Sequence, residues 1–452
     1  MTTELPATDQ NTSEQRNDLL TFLWVTFGRI LLLGSWFYAT KCFANVIGPA
    51  AFGMYVLCQS TIRVLTGSIG DPLDMAVMRE APLLLRTDRR GALDLIRSAF
   101  WLRVAFGVVV ILVALSVPSL ASRAIFNSPQ FRGLAVLTLA GVLGDFLLRS
   151  VLGFFQVSEQ FSRFMLVDAV WQLGRVAAVS ILAVTHHLTA PAGIVLYVVA
   201  PYVSAFCGWF LLPPDMTRLA PPSRYQIVKI LDYTKWIVAG MSMAAAYERL
   251  DLFMLEWIRT RHDHGHDVGI YGLAGFLASI PDYLNGIIQT SLAPKVAPAY
   301  ADGTFNRLQW WYLKYAVPCG LLMGAGAILL SSWGIRTFLS PQYIDAIPVF
   351  KILILSTLFN LVFTPLPSAL VNFVAPQRVT VFTAVGLVWV AVGAAFAIPM
   401  YHATGAAVVM LTARLVVGLL IIIQAQRLSR RPGITNAVPL TAELPGHMEE
   451  QV

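Results

Sequence analysis

The stretch Pro213-Pro214-Asp215-Met216-Thr217-Arg218-Leu219-Ala220-Pro221-Pro222-Ser223 decides how this chain is organised. Two proline pairs set among polar residues break a helix and have no place in hydrocarbon, so this segment is a connection. On either side of it the chain is strongly apolar. Of 452 residues 57% are hydrophobic and 13% charged, and the mean hydropathy is +0.67. Soluble domains run about 45–50% apolar and about 25% charged. A surplus of this size has no interior large enough to hold it and requires lipid. The four cysteines, Cys42, Cys58, Cys207 and Cys319, are scattered through apolar runs as small buried hydrophobes, without disulfide or metal spacing. Disorder, a fibrous repeat and a secreted disulfide scaffold are excluded.

Working outward, six apolar runs precede the proline-rich segment and six follow it. They fall at about 19–44, 50–70, 99–118, 133–156, 164–186, 191–213, 232–257, 268–291, 315–333, 346–372, 380–400 and 405–425. The first is not preceded by a basic n-region, so it is expected to remain as a helix. The termini and even-numbered connections carry seventeen Lys and Arg, among them Arg79, Arg86, Arg89, Arg90, Arg97, Lys229 and Arg427. The odd-numbered connections carry five: Arg123, Arg132, Arg259, Arg261 and Arg336. The asymmetry places both termini in the cytoplasm and explains the net charge of +7 as a membrane-surface feature, with no nucleic acid needed. The longest connection is expected from Asp71 to Arg97.

The two halves resemble each other. At an offset of 216 residues Gly53-Met54-Tyr55 falls on Gly269-Ile270-Tyr271, Gly70 on Gly286, and Ala81-Pro82 on Ala297-Pro298. An even number of spans per half makes the repeats parallel, an architecture that binds cargo between its halves near mid-bilayer. The expected fold is an all-α polytopic membrane protein of about twelve transmembrane helices, two parallel six-helix lobes around a central cavity. Its parts are a cytoplasmic tail (1–18), an N-lobe (19–213), a linker (214–231), a C-lobe (232–425) and a second cytoplasmic tail (426–452).

An ionisable group at mid-membrane costs about 2.5–3.5 kcal/mol on insertion scales, so each one needs a partner or a purpose. Lys41, Arg103, Lys235 and Lys351 lie near span ends, from which they can snorkel to the interface. Asp145 and Arg149 stand four apart on one helix face and are expected to pair. Arg29, Arg63, Arg175, Arg249 and Arg414 have no carboxylate on their own face within a turn. They pair across helices with Asp168, Glu248, Asp251, Glu256 or Asp282, or they line a hydrated cationic cavity. A guanidinium stays charged when dehydrated and offers a two-pronged donor edge that suits phosphate. The chain favours Arg over Lys throughout, which weakens that preference as a signal. The outer loop His262-Asp263-His264-Gly265-His266-Asp267 reads as polar and solvated, with no metal site expected. Pro318, Pro365, Pro367 and Pro399 are placed to kink or end helices. There is no P-loop, dinucleotide fingerprint, HExxH or nucleophile elbow. No cofactor and no enzymatic activity are expected.

Several ordered stretches resemble the polysaccharide-biosynthesis flippases of the multidrug/oligosaccharidyl-lipid/polysaccharide exporter superfamily. They are Ile47-Gly48-Pro49-Ala50-Ala51-Phe52-Gly53-Met54-Tyr55, Gly70-Asp71-Pro72-Leu73-Asp74 and Met78-Arg79-Glu80. Further along come Phe155-Gln156-Val157-Ser158-Glu159-Gln160-Phe161, Arg249-Leu250-Asp251, Leu292-Ala293-Pro294-Lys295, Pro341-Gln342-Tyr343 and Pro376-Gln377-Arg378. Pro72 and the His-rich loop depart from the usual pattern. The resemblance implies a V-shaped pair of lobes in a bacterial inner membrane that opens alternately to either side. The implied cargo is an undecaprenyl-pyrophosphate-linked oligosaccharide, for exopolysaccharide, capsule or lipopolysaccharide O-antigen assembly. A polysaccharide polymerase or co-polymerase is the protein partner to expect. Arg29, Arg63 and Arg249 lie on helices that hold the pyrophosphate in such proteins, with Arg175 and Arg414 as further candidates. Ion coupling falls to Asp168, Glu248, Asp251 or Asp282. The alternative is an ion-coupled multidrug antiporter of the same superfamily, whose site is expected to be acidic and aromatic.

Overall fold

The computed structural model describes residues 34–217, 221–259 and 265–430; for residues 7–33 it gives the helical backbone alone. The described residues are all-helical, and the chain is polytopic. Among the described residues eight helices are long and apolar enough to cross a membrane. Two of these bend back on themselves. Helix α1 (Ala7–Thr87) is interrupted at Gly48, whose φ of 76° and ψ of 172° are open to glycine alone. Pro49 then starts the next rod with its φ already helical. The last helix, α15 (Pro376–Ser429), turns in the same way at His402, where φ is 55°. Between them lie α2 (Arg89–Ser116), α3 (Pro118–Phe126), α4 (Arg132–Val157), α5 (Phe161–Val184) and α6 (Ala190–Trp209). After a short α7 (Pro214–Thr217) come α8 (Arg224–Tyr247), α9 (Leu250–Arg259), α10 (His266–Ala278), α11 (Ile280–Ala301), α12 (Phe305–Phe338), α13 (Ala346–Phe363) and α14 (Pro365–Val374).

The runs expected to be continuous at 232–257, 268–291 and 346–372 are each broken. The first breaks at the charged pair Glu248-Arg249, between α8 and α9. The second breaks at Ser279, just ahead of Pro281, which has no N–H to give and crowds the turn before it. Pro365 opens α14 for the same reason, whereas Pro318 and Pro399 stay inside their helices. The expected long connection between Asp71 and Arg97 is also absent. Helix α1 runs on to Thr87 and α2 starts at Arg89, its N-terminus capped by the Asp88 carboxylate accepting from the Gly91 N–H at 3.0 Å. Polar residues there extend the helices because Ala81, Ala92, Leu95 and Ala99 of the same segment are buried against protein.

The two ends of the bundle pack differently. At the end away from the 213–223 linker, one buried cluster draws on both halves of the chain. It joins Phe43, Tyr55, Leu57 and Ile194 to Leu255, Leu273, Tyr343 and Ala406. At the linker end the buried clusters separate. One runs from Leu73 to Met216 with Ile230 of α8 added; another, from Val296 to Ala425, belongs wholly to the second half. Across the linker end α8 leans on the first half, through Lys229–Glu80 at 2.7 Å and the Arg79 guanidinium 4.8 Å from the Tyr233 ring centroid.

The equivalent Gly53 and Gly269 meet at the joined end. A Cβ on Gly53 would sit 1.9 Å from the Gly265 carbonyl oxygen, and one on Gly269 would sit 1.9 Å from that of Pro49. Both obstacles are backbone, so no rotamer change relieves them. Gly269→Ala is therefore expected to part α1 and α10, with faster amide exchange across 49–56 and 265–272. Unchanged exchange there would mean the helices do not touch at this point.

Candidate functional site

Two groups of polar side chains lie in the interior, one in each half, beside a third group that is fully ion-paired. The third group is built from the helical turn Gly70-Asp71-Pro72-Leu73-Asp74. Arg149 on α4 reaches Asp71 at 2.5 Å, Asp145 at 2.8 Å and Asp74 at 3.6 Å. The expected Asp145–Arg149 pair is thus part of a larger network. Arg103, expected to snorkel to the interface, is instead 4% exposed and bonded to Asp74, with Ser150 Oγ accepting from its Nη1 at 3.2 Å. The early start of α2 accounts for the difference, because it carries Arg103 fourteen residues into a helix packed on α1 and α4. Three carboxylates outnumber the two guanidiniums here, so both cations are paired and neither is free for a ligand.

The first-half group holds Arg63 and Arg175. Arg175 on α5 is 5% exposed. Its Nη2 donates to Gln172 Oε1 at 3.3 Å, its guanidinium lies 5.4 Å from the Trp171 ring centroid, and its Nε has no hydrogen-bond partner. No carboxylate lies within ion-pair distance of it among the described residues. The phenols of Tyr55 and Tyr197 lie within its electrostatic reach, and Tyr197 is also in the field of Arg63. Arg63 is exposed, with no hydrogen bond or ion pair among the described residues. The aromatic side chains connect: Tyr55 packs edge-on to Tyr197 at 5.8 Å, and Tyr197 to Trp171 at 6.0 Å.

The second-half group gathers where α8 gives way to α9 and α10 to α11. Arg249 sits at the first break, half-buried, its Nε without a partner. Arg414 is differently placed. It pairs with Asp282 at 3.2 Å, 132 residues away in sequence, so one expected anion ligand and one expected ion-coupling carboxylate satisfy each other. Asp251 is 3% exposed, accepting from the Tyr271 hydroxyl and from the Leu252 N–H at 2.8 Å. Glu248 is exposed at the C-terminal end of α8. Tyr247, whose buried hydroxyl has no partner, lies among the charges of Arg414, Asp251, Glu248 and Asp282. Asp168 and Glu256 both have partners.

Arg29 lies outside the described residues, as do His262, Asp263 and His264 of the His-rich loop. Among the described residues no group of three or more His, Cys, Asp or Glu is placed to hold a metal. Local sequence patterns missed three features: Asp71 and Asp74 as partners of Arg103 and Arg149, the Tyr55–Tyr197–Trp171 chain, and Tyr247. Beyond the expected Asp145–Arg149 pair, the two acids three residues apart on one helix face carried a signal for the network.

This helical bundle, with one joined and one divided end, is similar in fold to several solved membrane proteins. The fold is similar to that of a multidrug resistance MATE transporter of the MOP superfamily in an inward-facing conformation. The TM-score is 0.71 at 15% identity, over 91% of this chain and 98% of that one. It is also similar to the lipid II flippase MurJ in an inward closed conformation, with TM-score 0.69 at 12% identity over 90% and 87% of the two chains. A MOP superfamily transporter from Pyrococcus furiosus gives 0.61 at 16% identity, over 90% and 95%. No curated protein matches. What these likenesses define is the fold, a multi-pass helical membrane bundle shared with these proteins. Residues 42–348 match the family model described as polysaccharide biosynthesis protein, and the chain belongs to that family.

Proposed function

We propose that this protein is a flippase that moves an undecaprenyl-pyrophosphate-linked oligosaccharide repeat unit from the cytoplasmic to the periplasmic leaflet. The observation that carries the reading is Arg175, a buried guanidinium with an unpartnered Nε and no carboxylate among the described residues. An uncompensated buried charge is costly, and a diphosphate arriving in a wet cleft is the ligand that offsets the cost. Arg63 and Arg249 join it as clamp residues, and Arg29 by its place on the first helix. Arg414 contributes only when its bond to Asp282 opens. Two six-helix lobes, twelve spans in all, rock about the joined end, and the divided linker end is the cytoplasmic mouth. The charge asymmetry supports that orientation, with both termini inside. Carrying the headgroup through the cleft avoids dragging sugar hydroxyls through hydrocarbon.

Ion coupling, in this reading, belongs to Asp168, Glu248, Asp251 or Asp282. The rival, an ion-coupled multidrug antiporter, wants free acids facing a cationic drug. Asp251 and Asp282 are engaged by Tyr271 and Arg414, which disfavours it. Deleting the gene is the direct test. The flippase reading expects lipid-linked repeat units to accumulate on the cytoplasmic face while surface polysaccharide disappears. Repeat units appearing normally in the periplasm would overturn it.

A further inference from the structure

The joined end is held by two contacts that are copies of each other. In the first half, Ser128-Pro129-Gln130-Phe131 follows α3; in the second, Ser340-Pro341-Gln342-Tyr343 follows α12, at an offset of 212 residues. Both form a single 3-10 turn, over Pro129–Phe131 and Pro341–Tyr343. Each turn lies beside a polar contact to the opposite half. Asn45, near the end of the first rod of α1, donates from Nδ2 to the Phe338 carbonyl at 3.0 Å, and its Oδ1 accepts from the Ser340 N–H at 2.9 Å. Trp257, near the end of α9, donates from Nε1 to the Ala124 carbonyl at 2.9 Å, and its own carbonyl accepts from Asn127 Nδ2 at 3.0 Å. Asn45 and Trp257 stand at the same offset of 212 residues. First-half helix to second-half loop, and second-half helix to first-half loop, the two contacts exchange.

We propose that these paired contacts are a reciprocal latch, which holds the end away from the linker closed and must release on both sides for that end to open. Their chemistry suits a contact made and broken in every cycle. Asn45, Asn127 and Trp257 are exposed, so water replaces each lost bond and release costs little, unlike separation of buried apolar surface. Beneath the latch Gly53 meets Gly265 and Gly269 meets Pro49, backbone against backbone, within the buried apolar cluster that the two halves share. Gln342 faces the Gly48 corner, its Oε1 3.0 Å from where a Cβ there would stand, and Tyr343, 0% exposed, packs edge-on to Phe52 at 6.4 Å. Pulling the second turn away therefore loosens the corner between the two rods of α1. Tyr55, two residues beyond Gly53, lies in the field of Arg175, and Tyr271, two beyond Gly269, bonds to Asp251. The latch is thereby connected to both interior groups.

The inference rests on the transport reading only for its purpose, and its test needs no substrate. Spin labels at Leu120→Cys and Ile344→Cys, with the four native cysteines replaced, report the distance across this end in the purified full-length protein. Trp257→Phe keeps the ring and removes the N–H, and Asn45→Ala removes the other side's bonds. Each is expected to raise the ratio of open to closed population roughly two- to tenfold, and the pair together more. A double variant that elutes as a single folded species with the parent's distance distribution overturns the latch. If the double variant does not fold, an unchanged distribution in Trp257→Phe alone overturns it. Either result leaves the flippase reading to be decided by where lipid-linked units accumulate.

Discussion

Replacing Arg175 by alanine is expected to stop export of surface polysaccharide while leaving the protein folded and at its normal level in the membrane. The two halves of that outcome have separate physical causes. In the resting protein the guanidinium is buried, held by one 3.3 Å bond to Gln172 and the face of Trp171, with Nε unpartnered. Its removal leaves no acid orphaned among the described residues and relieves part of a desolvation cost of about 2.5–3.5 kcal/mol. Stability in detergent should hold or rise. For a bound diphosphate the loss is different. Truncating one partner of a buried, hydrogen-bonded charge pair typically costs about 2–5 kcal/mol, so transport should fall about 30-fold or more. Arg175→Lys keeps the charge but not the planar fork and should recover only part of it. Arg249→Ala is expected to behave alike, since Arg249 also has an unpartnered Nε and no ion pair among the described residues. Both levels are checked together, protein by immunoblot and glycan by surface staining with quantified lipid-linked units. Normal polysaccharide from both variants would remove the clamp.

Which parts of this were legible beforehand follows from the range of the forces involved. The break between the apolar runs at 19–44 and 50–70 and the Asp145–Arg149 pair are local features, set by backbone allowances or by neighbours one turn away. The repeat of Gly53 and Gly269 was visible as a pattern, but the close approach of the two glycines to each other was not, because an offset says nothing of which surfaces meet. Arg103 was misjudged for a related reason. Distance from the end of an apolar run is a fair measure of depth only if the helix ends with the run, and α2 starts ten residues earlier, at Arg89, because its polar turns are packed on protein. For Arg414 the sequence leaves both a ligand and a cross-helix acid open and does not say which acid; the structure supplies Asp282, from a different helix. Long-range pairing of this kind is decided by tertiary packing, which no count of neighbours at three and four residues can detect. The same limit hid the latch, whose polar bonds join residues 130 and more apart.

Asp74→Ala should have the opposite signature to Arg175→Ala, a loss of protein before any question of transport arises. Among the described residues Asp74 is the one acid bonded to Arg103, a guanidinium 4% exposed that otherwise has Ser150 Oγ at 3.2 Å. Breaking a buried pair from one side leaves the other charge desolvated, a penalty of about 3–5 kcal/mol, which is a large share of the roughly 5–15 kcal/mol by which folded proteins are stable. Arg149 is buffered against the same change, because Asp71 and Asp145 remain at 2.5 and 2.8 Å. The damage should therefore centre on α2 and not on α4, and amide exchange in α2 should rise first. Removing both members, Asp74→Ala with Arg103→Leu, deletes the orphaned charge as well and should restore much of the lost stability, since apolar replacements for buried ion pairs are often neutral or better. Thermal unfolding of the three variants in one detergent decides it. Equal losses in the single and double variants would mean that Asp74 acts through something other than Arg103, and the network would have to be read as a site in its own right.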